Sequence, residues 1–509
     1  MISEIDQWQA ASGHVPSQLD WRWIKRYRTL CAYDDYWWLA HAGPFTEAEQ
    51  QQWDHLFPPQ DEGTKDELRT LLLHSRDCEV EAALQEKREP RLCYPAIEIE
   101  QVRQRIDGLQ TLDAEIEREE PNAIVRRLYH GAIEDNLCYL HMIEAAYTGE
   151  CDRFWEQIQG IYSPPTAEEM QYTLRRVAQV LQQGLRRDDT QEASQQALQI
   201  LQAWEAVPPN VLLRPRQAQE MSSTSRPEIT ARRQQMVSPR AAQQFFESVL
   251  RDSGYDGWQV ILDPNANGPR VESGLRHLFL QDSSVPLEDI REYLSHELLG
   301  HITRSVTGER SRLGLLGMGT KGYAPTEEGL ATYHERRVAA VHGEPFDDSA
   351  LWLGTLAIGL ACGSIAPPQT FSSLFTFLEP FLLVYRLLWR NDEDRPTAEA
   401  RARRNARIYC LRTFRGVPDL RKPGVCFTKD VVYLRGYLQI ERAVSEDEEI
   451  LDRLAVGKVG IEQLPDLQEL GIVAPSQLAS LRNLAYDPGL DDYILSFEAK
   501  DTDHQFQDS

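Results

Sequence analysis

The chain has 509 residues, with 79 acids against 54 bases and a formal net charge of −25. That acidity excludes bulk binding to nucleic acid or to an anionic membrane surface. A hydrophobic fraction of 41% and a charged fraction of 26% exclude fibrous or wholly disordered classes and imply about two to four globular domains.

The first residues, Met1 to Asp6, show neither a basic segment nor an apolar one, so no secretory signal is expected. Eight cysteines without a Cys-x-x-Cys pair imply reduced thiols and a cytoplasmic setting. Residues 1–93 are tryptophan-rich and suggest a few short helices joined by loops. From Tyr94 to about Trp204 the apolar spacing is helical, as in Ile97, Val102, Ile106, Leu109, Leu112 and Ile116. Pro164 and Pro165 interrupt that pattern, and Thr166 opens a new helix. Residues 206–240, rich in proline and serine, imply a linker or an ordered surface arm that closes a region 94–240.

The character then changes. Residues 258–262 and 271–281 carry strand patterns, with Leu278 and Leu280 alternating against Phe279 and Gln281. A helix follows from about Val285, with Pro286 in its first turn and Glu288 and Asp289 where the helix dipole favours acids. The apolar stretches 351–366 and 371–389 are broken by Gly354, Gly359 and Gly363, and by Glu379, Pro380 and Arg386. They are expected as buried core helices and not as membrane spans. We assign 241–440 to a central catalytic domain and 441–486 to a helical part. Residues 487–509, with seven acids and one base, are expected as a mobile acidic tail.

The chemistry concentrates in His296-Glu297-Leu298-Leu299-Gly300-His301 and in Thr326-Glu327-Glu328-Gly329-Leu330-Ala331. A catalytic zinc takes three protein ligands from His and carboxylate and keeps one position for water. Two histidines on one helix and a glutamate on the next supply that set, and Glu297 can accept the water's proton. The histidines are five apart, about 500° around an α-helix, which leaves them roughly 140° out of line. They share a face only if the helix widens, so a π-type deformation is expected at Leu299–Gly300. The plainer reading makes Leu294, Leu298 and Ile302 a core stripe and Thr326 an ordinary N-cap followed by acids. The glycine-dense run 313–323 lacks the βαβ setting of a dinucleotide site and is expected as a loop against the active helix. Tyr433, Tyr437, Tyr323, Lys321 and His334 are candidate oxyanion donors, and spacing does not choose among them.

At these motifs the sequence resembles the matcap-type tyrosine carboxypeptidases and the bacterial proteins that share a Gln-Glu-Gly-Leu-Ala motif. Further resemblance lies in Arg412-Thr413-Phe414-Arg415-Gly416, in the run from Phe427 through Lys429 and Tyr433 to Tyr437, and in Val456-Gly457-Lys458-Val459. It spans about Tyr94 to Arg482. The resemblance implies an α+β, predominantly helical, zincin-like metallopeptidase with a small sheet beside the active-site helix. It implies one Zn2+ per chain on His296, His301 and Glu328, with Glu297 as base. A carboxypeptidase also needs a cation for the terminal carboxylate. Residues 401–422 hold eight bases and the single acid Asp419, which suggests a groove for an acidic peptide end. Arg415, Lys429, Lys321 and Tyr433 are the candidate substrate contacts. The expected function is removal of a C-terminal, tyrosine-like residue from peptides or proteins. The alternatives are a non-catalytic zinc-binding regulatory protein and a zinc endopeptidase.

Overall fold

A computed structural model describes residues 18–31, 41–58, 61–94, 99–205, 235–264, 266, 268–389, 393–473 and 478–505. The chain is predominantly helical with two small sheets. Helices α1 (Ile24–Leu30), α2 (Glu47–Leu56) and α3 (Glu62–Gln85) precede a helical stack of α4 (Ile99–Glu119), α5 (Ala123–Thr148), α6 (Cys151–Ile161), α7 (Ala167–Gly184) and α8 (Gln191–Ala203). The 24-residue α3 departs from the expected short helices. Its Leu68, Leu71 and Leu72 close a small core with Trp53 and Ala42.

In α4 the periodic Val102, Ile106, Leu109, Leu112 and Ile116 are all buried; Ile97 lies outside the described residues. Thr166 caps α7 in a reciprocal box, its hydroxyl accepting from the Glu169 N–H while the Glu169 carboxylate accepts from the Thr166 N–H. Of the expected linker 206–240, residues 206–234 lie outside the described residues. The remainder forms strand β1 (Met236–Val237) and opens α9 (Pro239–Asp252).

The larger sheet has β2 (Gln259–Asp263) parallel to β4 (His277–Gln281), with β3 (Arg270–Glu272) antiparallel on the other edge of β4. The expected strand 271–281 is therefore a hairpin that turns between Glu272 and His277, with Arg276 at φ 56°. Leu278 and Leu280 are buried and Phe279 and Gln281 half-buried, which is the alternation that the sequence implies. Strand β5 (Val285–Pro286) pairs with β1 and delivers the chain into α10 (Leu287–Tyr293) and the active helix.

The later helices are α11 (Thr303–Glu309), α12 (Tyr323–Val341), α13 (Ser349–Cys362), α14 (Phe371–Trp389), α15 (Arg395–Thr413), α16 (Val431–Glu446), α17 (Ile450–Leu454), α18 (Leu464–Glu469), α19 (Leu478–Ala485) and α20 (Leu490–Gln505). Helix α14 is long and apolar enough to cross a membrane by composition, yet most of it is buried inside the fold, as is the shorter α13. The acidic C-terminal segment differs from the expected mobile tail. Helix α20 buries Leu490, Ile494 and Phe497, and Phe497 meets Phe245 of α9 edge-on at 6.0 Å. Its acids stay on the surface while an apolar stripe docks.

Candidate metal centre

Residues Leu294–Ile302 form a π-helix. Its hydrogen bonds run between residues five apart, so side chains at that spacing stack. Thr303 ends it: both its N–H and its hydroxyl donate to the Leu298 carbonyl, the latter at 2.8 Å. The widening covers nine residues, more than the local defect expected at Leu299–Gly300. Gly300 serves close approach here. A Cβ on it would lie 2.5 Å from the Cβ of Ala331, so glycine lets the π-helix touch α12.

That contact brings the ligating groups together. His296 and His301 stand edge to face with ring centroids 5.0 Å apart. Their Nε2 atoms lie 3.9 and 4.0 Å from one carboxylate oxygen of Glu328 on α12. One donor atom from each of the three side chains falls within 4.8 Å of the others. A tetrahedral zinc with bonds of about 2.0–2.1 Å has ligand edges of about 3.3 Å, which small rotations of these side chains reach.

Each histidine is also oriented from behind. His296 Nδ1 is hydrogen-bonded to Glu335, two turns beyond Glu328 on α12. His301 Nδ1 is hydrogen-bonded to Glu327 at 3.2 Å. A carboxylate on Nδ1 fixes the proton there and turns the Nε2 lone pair toward Glu328, as metal-ligating imidazoles require. Glu327 is in turn held by Arg304, which is fully buried and donates to the carbonyls of Gly457 and Val459. Thr326 does not cap the helix, which starts at Tyr323; its hydroxyl accepts from Ile461 N–H instead.

The electrostatics call for a cation. Burial opposes charge on His296, but Glu335, Glu297 and Glu328 outweigh it and raise its pKa to about 10. His301 is raised against the same burial by Glu327 and Glu328. Burial also opposes ionisation of Glu327, yet His301, Lys458 and Arg304 hold its carboxyl at about 2. Two imidazoles and a carboxylate converging under this negative field are a donor set that suits zinc. Glu297, 8% exposed, lies near enough to act electrostatically on both His296 and Tyr293.

The expected substrate contacts separate. Tyr433 lies on α16, which crosses α12 backbone to backbone: a Cβ on Gly329 would meet Gly436 at 2.1 Å. Tyr433 is one turn before Gly436 and Glu328 directly precedes Gly329, and the Glu328 charge is the chief cause that lifts the Tyr433 phenol above its usual range. Lys321 is engaged elsewhere, paired with Glu134 of α5 at 2.6 Å. Arg415 lies over the Phe427 ring at 5.9 Å, where its charge acts on His41 and Tyr94. Lys429 has no ion-pair partner among the described residues. His334 and Tyr437 are bound to Tyr486 and to Arg336 with Glu441. The basic stretch is largely neutralised within the chain: Arg401 pairs with Glu393, Arg403 with Glu379 and Glu81, Arg421 with Asp419, and Lys422 with Asp152.

Residues 380–483 match the family model described as microtubule-associated tyrosine carboxypeptidase. The chain is a relative of these carboxypeptidases. The matched span holds Arg412, Lys429 and Tyr433 and begins downstream of the ligand cluster. Mouse microtubule-associated tyrosine carboxypeptidase 1 is 30% identical over 200 residues, 37% of this chain and 36% of that protein. Mouse putative tyrosine carboxypeptidase MATCAP2 is 32% identical over 207 residues, 40% of this chain and 34% of that protein. The chain thus spans about a third of the length of these curated relatives. No solved structure matches.

Sequence reasoning missed Glu335 and Arg304 and treated Glu327 as dispensable. Glu335 had a legible signal, since it lies seven residues after Glu328 on the same helix face. Arg304 had none, because its partners come from residues 457 and 459, far along the chain.

Proposed function

We propose that this chain is a zinc metallocarboxypeptidase of zincin-like fold that removes a C-terminal, tyrosine-like residue from peptides or proteins. The observation that carries the reading is the π-helix, which turns two histidines five residues apart toward Glu328 and backs each with its own carboxylate. The kinship to proteins named tyrosine carboxypeptidases supports the choice of end and residue. The eight free cysteines support a cytoplasmic setting.

His296, His301 and Glu328 would hold the zinc. When bound, it supplies Lewis acidity and a water of lowered pKa. Glu297 accepts a proton from the attacking water and returns it to the leaving amine. Glu335 and Glu327 keep both imidazoles in one tautomer and one orientation. Tyr433, kept protonated beside Glu328, donates a hydrogen bond to the carbonyl oxygen as it gains charge.

The test combines metal analysis with mass spectrometry of a peptide library of varied C-termini. The wild-type chain should carry about one zinc and shorten peptides by one residue, and Glu297→Gln should keep the zinc and lose turnover. Cuts well inside the peptides would make it an endopeptidase. Stoichiometric zinc without hydrolysis in the wild type would make it a binding module.

A further inference from the structure

Arg412 differs from the other bases of its stretch. Its Nε and Nη2 form a fork on Asp430 at 2.7 and 2.8 Å, which leaves the other edge of the guanidinium toward Tyr433. The guanidinium carbon stands 6.0 Å from the Tyr433 ring centre. Asp430 is itself wedged: a Cβ on Gly354 of α13 would lie 2.8 Å from the Asp430 Cβ. The aspartate is therefore fixed between α13 and the start of α16 and holds the arginine in one orientation. Lys429, the neighbour of Asp430, brings a second cation that has no ion-pair partner among the described residues. One turn into α16 comes Tyr433, beside Glu328 by way of the Gly329–Gly436 contact. Cation, phenol and metal ligand thus follow in order along one wall.

That order matches the chemistry of a chain end. The free carboxylate of a terminal residue lies one residue beyond the scissile carbonyl, and successive Cα atoms are about 3.8 Å apart. A planar fork set beside an oxyanion donor reads a carboxylate at that distance. Arg415, the candidate from the sequence, is spent on the Phe427 side of its turn.

We infer that Arg412, positioned by Asp430 and assisted by Lys429, binds the free α-carboxylate of the peptide substrate and so selects chain ends. This inference rests on the peptidase reading above. It assigns Arg412 to substrate contact and makes Asp430 a positioning residue.

The test uses the full-length, zinc-loaded chain. Binding is measured in the Glu297→Gln background with two fluorescent hexapeptides, one ending in free tyrosine and one in tyrosine amide. Arg412→Gln should weaken the free-acid peptide by at least about thirtyfold and leave the amide unchanged. Arg412→Lys should recover part of the loss, and Asp430→Asn should give an intermediate one that again spares the amide. In the catalytic background the same substitutions should raise KM more than they lower kcat. Equal weakening of both peptides by Arg412→Gln, or no weakening of the free acid, overturns the assignment. If the wild-type chain hydrolyses no peptide, the peptidase reading fails, and the two binding constants still decide what Arg412 holds.

Discussion

Two charged regions stand out in the sequence, the His296–Glu328 segment and the arginine-rich stretch 401–422, and the structure gives them opposite fates. In the first, charges from the π-helix and α12 converge, so that one carboxylate oxygen faces two imidazoles at about 4 Å. In the second, almost every base has an acid of its own, and the pairs point outward along α15. Surface pairs of that kind contribute at most about 1 kcal/mol each and leave no field for a ligand. A run of like charge in sequence therefore predicts little until its partners from other elements are counted. Arg412 is the member of the stretch that couples to the first region.

The largest effect should come from the convergent side. Glu297→Gln should cost about 10²- to 10⁴-fold in turnover with zinc retained, measured by peptide hydrolysis and metal analysis. Removal of a ligand with His296→Ala or His301→Ala should abolish zinc binding, and stoichiometric zinc after both would dissolve the contrast. Next are the groups behind the ligands. Glu335→Gln and Glu327→Gln should each weaken zinc by about 10- to 100-fold in a competitive chelator titration. A silent Glu327→Gln would mean that the Arg304 network serves packing alone.

Two smaller effects sharpen the picture. Gly436→Ala should destabilise by about 1–3 kcal/mol in urea unfolding, because the added methyl meets the Pro325 carbonyl and the α12 backbone. The core histidines His41 and His334 contrast with the ligands: burial without a facing carboxylate lowers both to about 3. Their folded pKa lies below the unfolded value of about 6.5, so the stability from keeping them neutral is present above pH 6.5 and is lost as pH falls toward 3. Each adds up to about 1.4 kcal/mol per pH unit to the slope in that window, and His334→Gln should flatten it. At the outer region, Arg403→Gln should shift stability by under about 1 kcal/mol and leave KM unchanged.

What the sequence made legible was local. The five-residue histidine spacing demanded a widened helix, because angular arithmetic on one element needs no tertiary knowledge. The buried faces of α4 and β4 followed from periodicity for the same reason. What stayed hidden depended on partners. The neutralising acids Glu81 and Glu379 lie far in sequence from Arg403, so the patch looked open. The docked face of α20 was masked by the acids around Leu490, Ile494 and Phe497. The hairpin inside 271–281 turned on Arg276 adopting a left-handed backbone, which composition does not announce.

The π-helix also defines how far this site stands from an ordinary helical one: a single residue. Deleting Leu299 would place the histidines four apart, about 400° around an α-helix, and so on one face without any widening. The same deletion would turn everything after it by about 100° and draw it back by about 1.5 Å. Arg304 would then swing away from the carbonyls of residues 457 and 459, and Thr303 from the Leu298 carbonyl. The extra residue is thus a register shim: it lets the upstream half of the helix point at α12 while the downstream half keeps its seat on the C-terminal segment.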